Sequence, residues 1–194
     1  MRAKLKDVAS IQLGFSFRAR LESAENGPIA VIQMKDITEG GSVDCGDLVR
    51  VAIDGLKEHH LAKVGDLVFR SRGLSHGSAI LSDDPGAVIV AAPLFRIRVV
   101  DPLVVPNYLN WFLNQRSALN YFGSCMEGTV QKMINKAALE NLEVSVPSLE
   151  RQSAIVEIAD LINREQELMS RLAVKRKLYF SEKLIEVAKG EGNR

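Results

Sequence analysis

Residues 147–189 read PSLERQSAIVEIADLINREQELMSRLAVKRKLYFSEKLIEVAK, a stretch with no glycine and no proline after its first residue. Pro147 and Ser148 supply a helix start signal, and Gly190 is the next residue that breaks one. Good helix formers dominate between them. A helix of about forty residues is roughly 60 Å long, more than a small domain covers, so something else must lie against it. Ile158, Leu161, Leu168, Leu172 and Tyr179 fall on a seam with coiled-coil spacing, interrupted at Glu165 and Lys175. Ile155, Ile162, Met169 and Val174 add a second apolar edge. The turns over residues 155–162 are expected to pack on the chain's own domain. The far half is not, because Leu168, Leu172, Leu178, Tyr179, Leu184 and Ile185 would each forgo roughly 1.5–3 kcal/mol if left in water. An antiparallel partner helix, from another copy or another subunit, answers that need, with Leu161, Leu168, Leu172 and Tyr179 as interface candidates.

Ahead of this stretch, short apolar runs alternate with turn signals. Residues 29–34 (IAVIQM), 48–53 (LVRVAI), 67–69 (LVF), 87–91 (AVIVA) and 95–100 (FRIRVV) read as strands. They are bounded by turns such as Asn26-Gly27-Pro28, Gly40-Gly41 and Asp84-Pro85-Gly86. In FRIRVV, Phe95, Ile97 and Val99 point inward, and Arg96 and Arg98 are expected to coat a positively charged outer face. Helical periodicity follows over residues 106–122, with Tyr108, Phe112, Leu119 and Phe122 on one stripe that Leu109 and Leu113 widen. Residues 123–128 are expected to end that helix. Asn135 suits the N-cap of a short helix, KAALENL, with Ile134 and Leu139 as a hydrophobic staple. Residues 144–146 form a brief strand before the long helix. The fold class is thus α+β: a mixed globular domain over 1–146, a long helix over 147–189 pairing as an antiparallel coiled coil, and a disordered tail over 190–194.

Charge and motif content narrow the function. The formal net charge is +1, from 25 basic and 24 acidic residues. Any nucleic-acid contact must therefore use a local patch rather than a whole-molecule field. Cys45 and Cys125 form no C-x-x-C and are read as core packing. No apolar run approaches the roughly eighteen residues that a spanning helix needs, and the opening MRAKLKDVAS has no signal-length apolar stretch. The expected compartment is the cytoplasm, with no membrane contact. The sequence has no glycine-rich phosphate loop and no N/D-P-P-Y/F tetrapeptide. It also has no acidic residue two positions before a lysine. The three histidines, His59, His60 and His76, occur without H-E-x-x-H or ligand-spaced cysteines. A non-enzyme without metal or cofactor is expected.

Six motifs in order carry a resemblance: LKDVASIQLGFSFR from Leu5, VIQMKDIT from Val31, KVGDLVFRSRG from Lys63, VPNYLNWFLN from Val105, EGTVQKMINKAALENLEVSVPSLERQ from Glu127, and the long helix. Together they resemble one half of the specificity (S) subunit of type I restriction-modification systems, a target-recognition domain followed by a spacer helix. The resemblance spans essentially the whole chain. It implies a non-catalytic subunit that binds double-stranded DNA and directs the methyltransferase (M) subunit, and with it the restriction (R) subunit, to a bipartite site. The helix would then act as a ruler between two recognition domains. The chain departs from the pattern in carrying one unit rather than two, and in having Arg151 where Glu more often precedes Gln152. A single unit with an unpaired helix seam points to a homodimer on an interrupted palindrome, since protein symmetry is mirrored in the site. The competing reading is an assembly or regulatory module that docks a partner through the helix without specific DNA reading.

Under the resemblance, Gly65-Asp66 is a structural turn. Arg70, Ser71 and Arg72 follow the LVF strand, where two guanidinium groups and a hydroxyl suit phosphate or base-edge contact, with an Arg–Asp66 pair as the plainer alternative. Ser75, His76 and Ser78 lie in the glycine-flanked loop that follows. Thr129, Gln131 and Lys132 precede the Asn135 cap, where Gln can reach adenine and Lys a phosphate. Arg18 and Arg20 extend a basic rim after GFSF. The DNA-contact candidates are thus Arg18, Arg20, Arg70, Ser71, Arg72, Ser75, His76, Thr129, Gln131 and Lys132.

Overall fold

A computed structural model describes residues 1–17, 27–38, 40–53, 55–72, 77–126 and 133–189. In chain order the elements begin with β1 (Arg2–Lys4), α1 (Leu5–Val8), β2 (Ala9–Leu13), β3 (Ile29–Ile32), β4 (Val49–Val51) and β5 (Leu61–Ala62). There follow β6 (Leu67–Arg70), β7 (Gly77–Ile80), β8 (Val88–Val90) and β9 (Phe95–Val99). The chain then turns helical with α2 (Pro106–Leu113), α3 (Arg116–Ser124) and α4 (Lys136–Asn141), and closes with β10 (Glu143–Ser145) and α5 (Leu149–Ala188). The fold is α+β. Two compact units are present, Met1–Val156 and Glu157–Arg194.

The first unit has three packed layers. One sheet runs β2-β9-β6-β7, all antiparallel. A second runs β4-β3-β8-β5, with β3 and β8 parallel, and β1 pairs β10 separately. The period-two alternation of side chains assigns each face. Leu67, Phe69, Phe95 and Ile97 bury themselves with Leu109, Leu113, Phe122 and Leu139 of the helices. Val68 and Ala79, from the opposite face, join Ala30, Ile32, Val88 and Val90 of the second sheet. Because β3 is covered on both faces, its residues Ile29, Ala30, Val31 and Ile32 are all buried, as its uninterrupted apolar run requires.

That layering corrects the reading of Arg96 and Arg98. The alternation holds, but the second sheet covers the face they occupy, so they do not coat an outer surface. Arg96 is 6% exposed and donates to the carbonyls of His59 (2.9 Å) and Leu61 (2.6 Å) and to Gln12 Oε1 (2.6 Å). Arg98 binds Asp66 through Nε at 2.7 Å and a terminal nitrogen at 2.6 Å. Asp66 accordingly pairs with arginines of β9, not with Arg70 or Arg72.

The helical half differs from expectation at two points. Residues 106–122 form two helices rather than one. At the break the Asn114 side chain donates to the Asn110 carbonyl at 2.9 Å, taking the acceptor that a continuing helix would use. Gln115 is extended, with φ −75° and ψ 150°, and starts α3. Helix α3 also runs through Gly123 to Ser124 instead of stopping at Phe122. Asn135 caps α4 as expected, its Oδ1 accepting from the Ala138 amide at 2.8 Å, with Ile134 and Leu139 fully buried beneath.

Helix α5 opens on a buried anchor. Gln152 is fully buried, accepts from the Val105 amide (2.8 Å) and donates to the carbonyls of Leu103 (2.8 Å) and Pro147 (2.9 Å). Ile155 and Val156 are half-buried, but Ile158 is 59% and Ile162 48% exposed. The coverage expected over residues 155–162 therefore ends early. Every residue from Asp160 to Lys189 is exposed, including the seam residues Leu161, Leu168, Leu172 and Tyr179.

Candidate nucleic-acid interface

Strand β6 delivers the central candidates. It is apolar and buried over Leu67, Val68 and Phe69, pairs β9 on one side and β7 on the other, and ends at Arg70 opposite Gly77. From there Ser71 and Arg72 continue outward. An isolated antiparallel bridge joins Arg72 to Met133, and the Ile134 amide donates to the Ser71 carbonyl at 3.0 Å. The exit of β6 thus runs beside the segment that leads into the Asn135 cap, bringing two stretches sixty residues apart into contact.

The three side chains have different fates. Arg70 is half-buried, and its terminal nitrogen donates to the carbonyls of Met34 (3.1 Å) and Ile37 (3.2 Å), clamping a short 3-10 turn over Met34–Asp36. Ser71 is 1% exposed and its hydroxyl donates to the Pro93 carbonyl at 2.6 Å, which makes it a packing residue in this conformation. Arg72 alone of the three is exposed. Its Nε lies 3.0 Å from Met133 Sδ, and among the described residues it has no carboxylate partner. Among the described residues only its Nε is engaged, by a weak acceptor, which leaves the terminal nitrogens for an anion.

Arg18, Arg20, Ser75, His76, Thr129, Gln131 and Lys132 lie outside the described residues. Ser78, expected in a loop, instead belongs to β7 and is 2% exposed. Its amide donates to Asn114 Oδ1 (3.0 Å), its carbonyl accepts from Asn114 Nδ2 (2.8 Å), and its hydroxyl donates to Asn110 Oδ1 (2.7 Å). Asn110 in turn donates to the Gly41 carbonyl at 2.9 Å. The two asparagines of α2 therefore hold the start of β7. Sequence reasoning passed over them, although two asparagines at i, i+4 on one helix face are the available signal.

The charge beneath the site is tightly managed. Hydrogen bonding to Asp66 pushes the Arg98 guanidinium up from its ordinary value. Burial lowers that of Arg96, and the neighbouring Arg98 lowers it further. Asp66 also accepts from the Lys63 amide at 2.8 Å, closing the Gly65 turn, where φ is +89°. This network fixes the base of β6 and leaves exposed positive charge at its far end.

Comparison with known proteins places the fold. A family model for the type I restriction modification DNA specificity domain matches residues 1–174. Among solved structures, a chain from a type I R-M system described for its complex assembly and conformational transition aligns over 94% of this chain, with TM-score 0.72 and 17% identity. The type I restriction-modification S subunit from M. genitalium aligns over 92%, with TM-score 0.58 and 14% identity. The HsdS subunit from Thermoanaerobacter tengcongensis aligns over 88%, with TM-score 0.59 and 17% identity. The chain spans less than half of each of these, 43%, 43% and 39% of their lengths. No curated protein sequence matches. A match over residues 1–174 of 194 covers both the layered unit and the first half of α5, and the chain belongs to the type I restriction modification DNA specificity domain family.

Proposed function

We propose that this chain is a sequence-reading subunit of a type I restriction-modification system. In that role it binds double-stranded DNA and directs methyltransferase subunits, and a restriction subunit with them, to a bipartite site. The family's domain is a DNA-recognition module and not a catalyst. Two copies, joined through α5, would each present one recognition unit, so the site would be an interrupted palindrome. The family match over residues 1–174 carries this reading. The exposed Arg72 at the β6 exit and the wholly exposed seam of α5 support it.

Co-purification with candidate methyltransferase subunits, followed by mapping of the methylated positions, tests the proposal. Methylation confined to an interrupted palindrome is the expected result. Methylation at an asymmetric site would overturn the pairing of two identical units. Equal affinity for all duplexes would overturn DNA reading itself and favour a module that only docks a partner.

A further inference from the structure

From Asp160 onward α5 presents no buried residue, yet its apolar seam is long and its charges are unevenly spread. Between Leu149 and Glu167 there are five acidic and two basic residues; between Leu168 and Lys189 there are six basic and two acidic. A parallel copy would set acidic half on acidic half. An antiparallel copy sets each acidic half on a basic one.

The seam also has a centre. Leu168 and Leu172 lie two residues either side of Ser170, Glu165 and Lys175 five residues either side, and Leu161 and Tyr179 nine residues either side. The two polar interruptions are thus mirror positions, of opposite charge, within a mirrored apolar series.

We infer that α5 pairs with the α5 of a second copy of this chain in one antiparallel register, with the twofold axis at the level of Ser170. In that register Leu168 meets Leu172 of the second copy, Glu165 meets its Lys175, and Leu161 meets its Tyr179. Each contact occurs twice by symmetry. With Ile158, Glu165, Leu172 and Tyr179 as one heptad position and Leu161, Leu168 and Lys175 as the other, every layer joins unlike positions, as antiparallel coiled coils require. Met169 flanks the axis and meets its own copy. Arg171 does the same on the other flank, and its charge is answered on its own helix by Glu167 at 3.7 Å. Ile158 meets Glu182 in the outermost layer, where the carboxylate reaches solvent. A seam this specific selects one register because a one-heptad slip in one direction sets Glu165 against Leu168, and a slip in the other strands Lys175 on Leu172.

The inference rests on the two-copy arrangement proposed above and adds to it the register and the pairing residues. Cysteine cross-linking of the full chain tests it. Leu161→Cys and Tyr179→Cys are made as separate chains, both positions being exposed and outside the core. Parent chain, with its own Cys45 and Cys125, is oxidised in parallel as the background. Mixed and oxidised, the two variants are expected to yield a covalent dimer on a non-reducing gel, and neither alone should exceed the parent. Cross-linking of either variant by itself would overturn the antiparallel register. No cross-link in the mixture, from a parent that sediments as a dimer, would overturn the register while leaving the dimer standing. A monomeric parent at tens of micromolar would overturn both. As a second measurement, Glu165→Lys should raise the dimer dissociation constant about tenfold, by making two layers repulsive. Adding Lys175→Glu to the same chain should restore it. Equal dissociation constants for the parent and Glu165→Lys would also overturn the pairing.

Discussion

Arg98 holds Asp66 with two nitrogens, Nε at 2.7 Å and a terminal nitrogen at 2.6 Å, while Arg96 stands 3.9 Å away on the same carboxylate. The Asp66 side chain is 3% exposed, so two cations of β9 depend on one buried anion at the base of β6. Replacing Asp66 by Asn keeps an acceptor for the Lys63 amide but strips the charge. Breaking one side of a buried pair costs about 3–5 kcal/mol. Denaturant unfolding of Asp66→Asn is expected to show a loss near the lower end of that range, since Arg98 reaches solvent in part. Arg98→Lys, which keeps the charge and loses the two-point geometry, should cost less. Equal stability of Asp66→Asn and parent would show that the network is incidental.

Gln152 makes the comparable link at the start of α5, through the Val105 amide and the Leu103 carbonyl. Gln152→Leu fills the same space but removes the partner of these two groups and of the Pro147 carbonyl. A buried unsatisfied polar group costs about 1–3 kcal/mol, and thermal or denaturant unfolding of this variant should register a loss of that order. An unchanged midpoint would mean that water replaces the side chain.

How much of this was legible in the sequence depends on how local the cause is. The Asn135 cap and its Ile134–Leu139 staple are written within six residues, and the structure shows the cap bond. The long helix, too, is a local property of a stretch without breakers. The alternation of Phe95 and Ile97 against Arg96 and Arg98 is equally plain, but what covers the second face is not. Only the partner sheet, built from residues far along the chain, turns an apparent outer face into a buried ion-pair layer. The break at Asn114 is non-local in the same way, because it depends on Ser78 waiting across the fold to bind that side chain. Among the site candidates, Arg70 and Ser71 look like Arg72 in sequence. Their carbonyl partners at Met34, Ile37 and Pro93 are what separate them.

His60 gives the first unit an acid-sensitive point. Its ring stands edge-on to Phe15 with centroids 5.4 Å apart and lies tilted beside His59 at 4.0 Å, and its Nδ1 is buried without a hydrogen-bond partner among the described residues. Burial lowers its pKa, and the nearby His59, Lys57 and Arg96 lower it further. A group whose folded pKa is depressed takes up protons more readily when unfolded. Its contribution is therefore complete above the ordinary histidine value and is lost as pH falls through it towards the folded value. Unfolding free energy measured from pH 8 to pH 5 should decline on the acid side, and His60→Phe should flatten part of that decline. An identical pH dependence in parent and variant would remove His60 from the account.

Arg70 and Arg72 offer the sharpest separation of support from contact. Arg70→Ala removes the clamp on the Met34 and Ile37 carbonyls. Stability should fall by about 1–3 kcal/mol, and any loss of DNA affinity should follow the unfolded fraction. Arg72 is exposed and its side chain hydrogen-bonds Met133 Sδ, a weak acceptor, so Arg72→Ala should leave stability within about 0.5 kcal/mol. Its effect should instead appear in DNA titration across a salt series. If Arg72 meets a phosphate, binding weakens alike on all duplexes and the salt slope falls by about one. If it meets a base edge, affinity for the preferred site drops by about 1–3 kcal/mol, and preference at one position relaxes. Arg72→Lys sharpens the distinction, because a point charge replaces the guanidinium on a phosphate more nearly than in a two-point contact to guanine. Unchanged affinity and unchanged salt slope in Arg72→Ala would move the DNA surface away from the β6 exit.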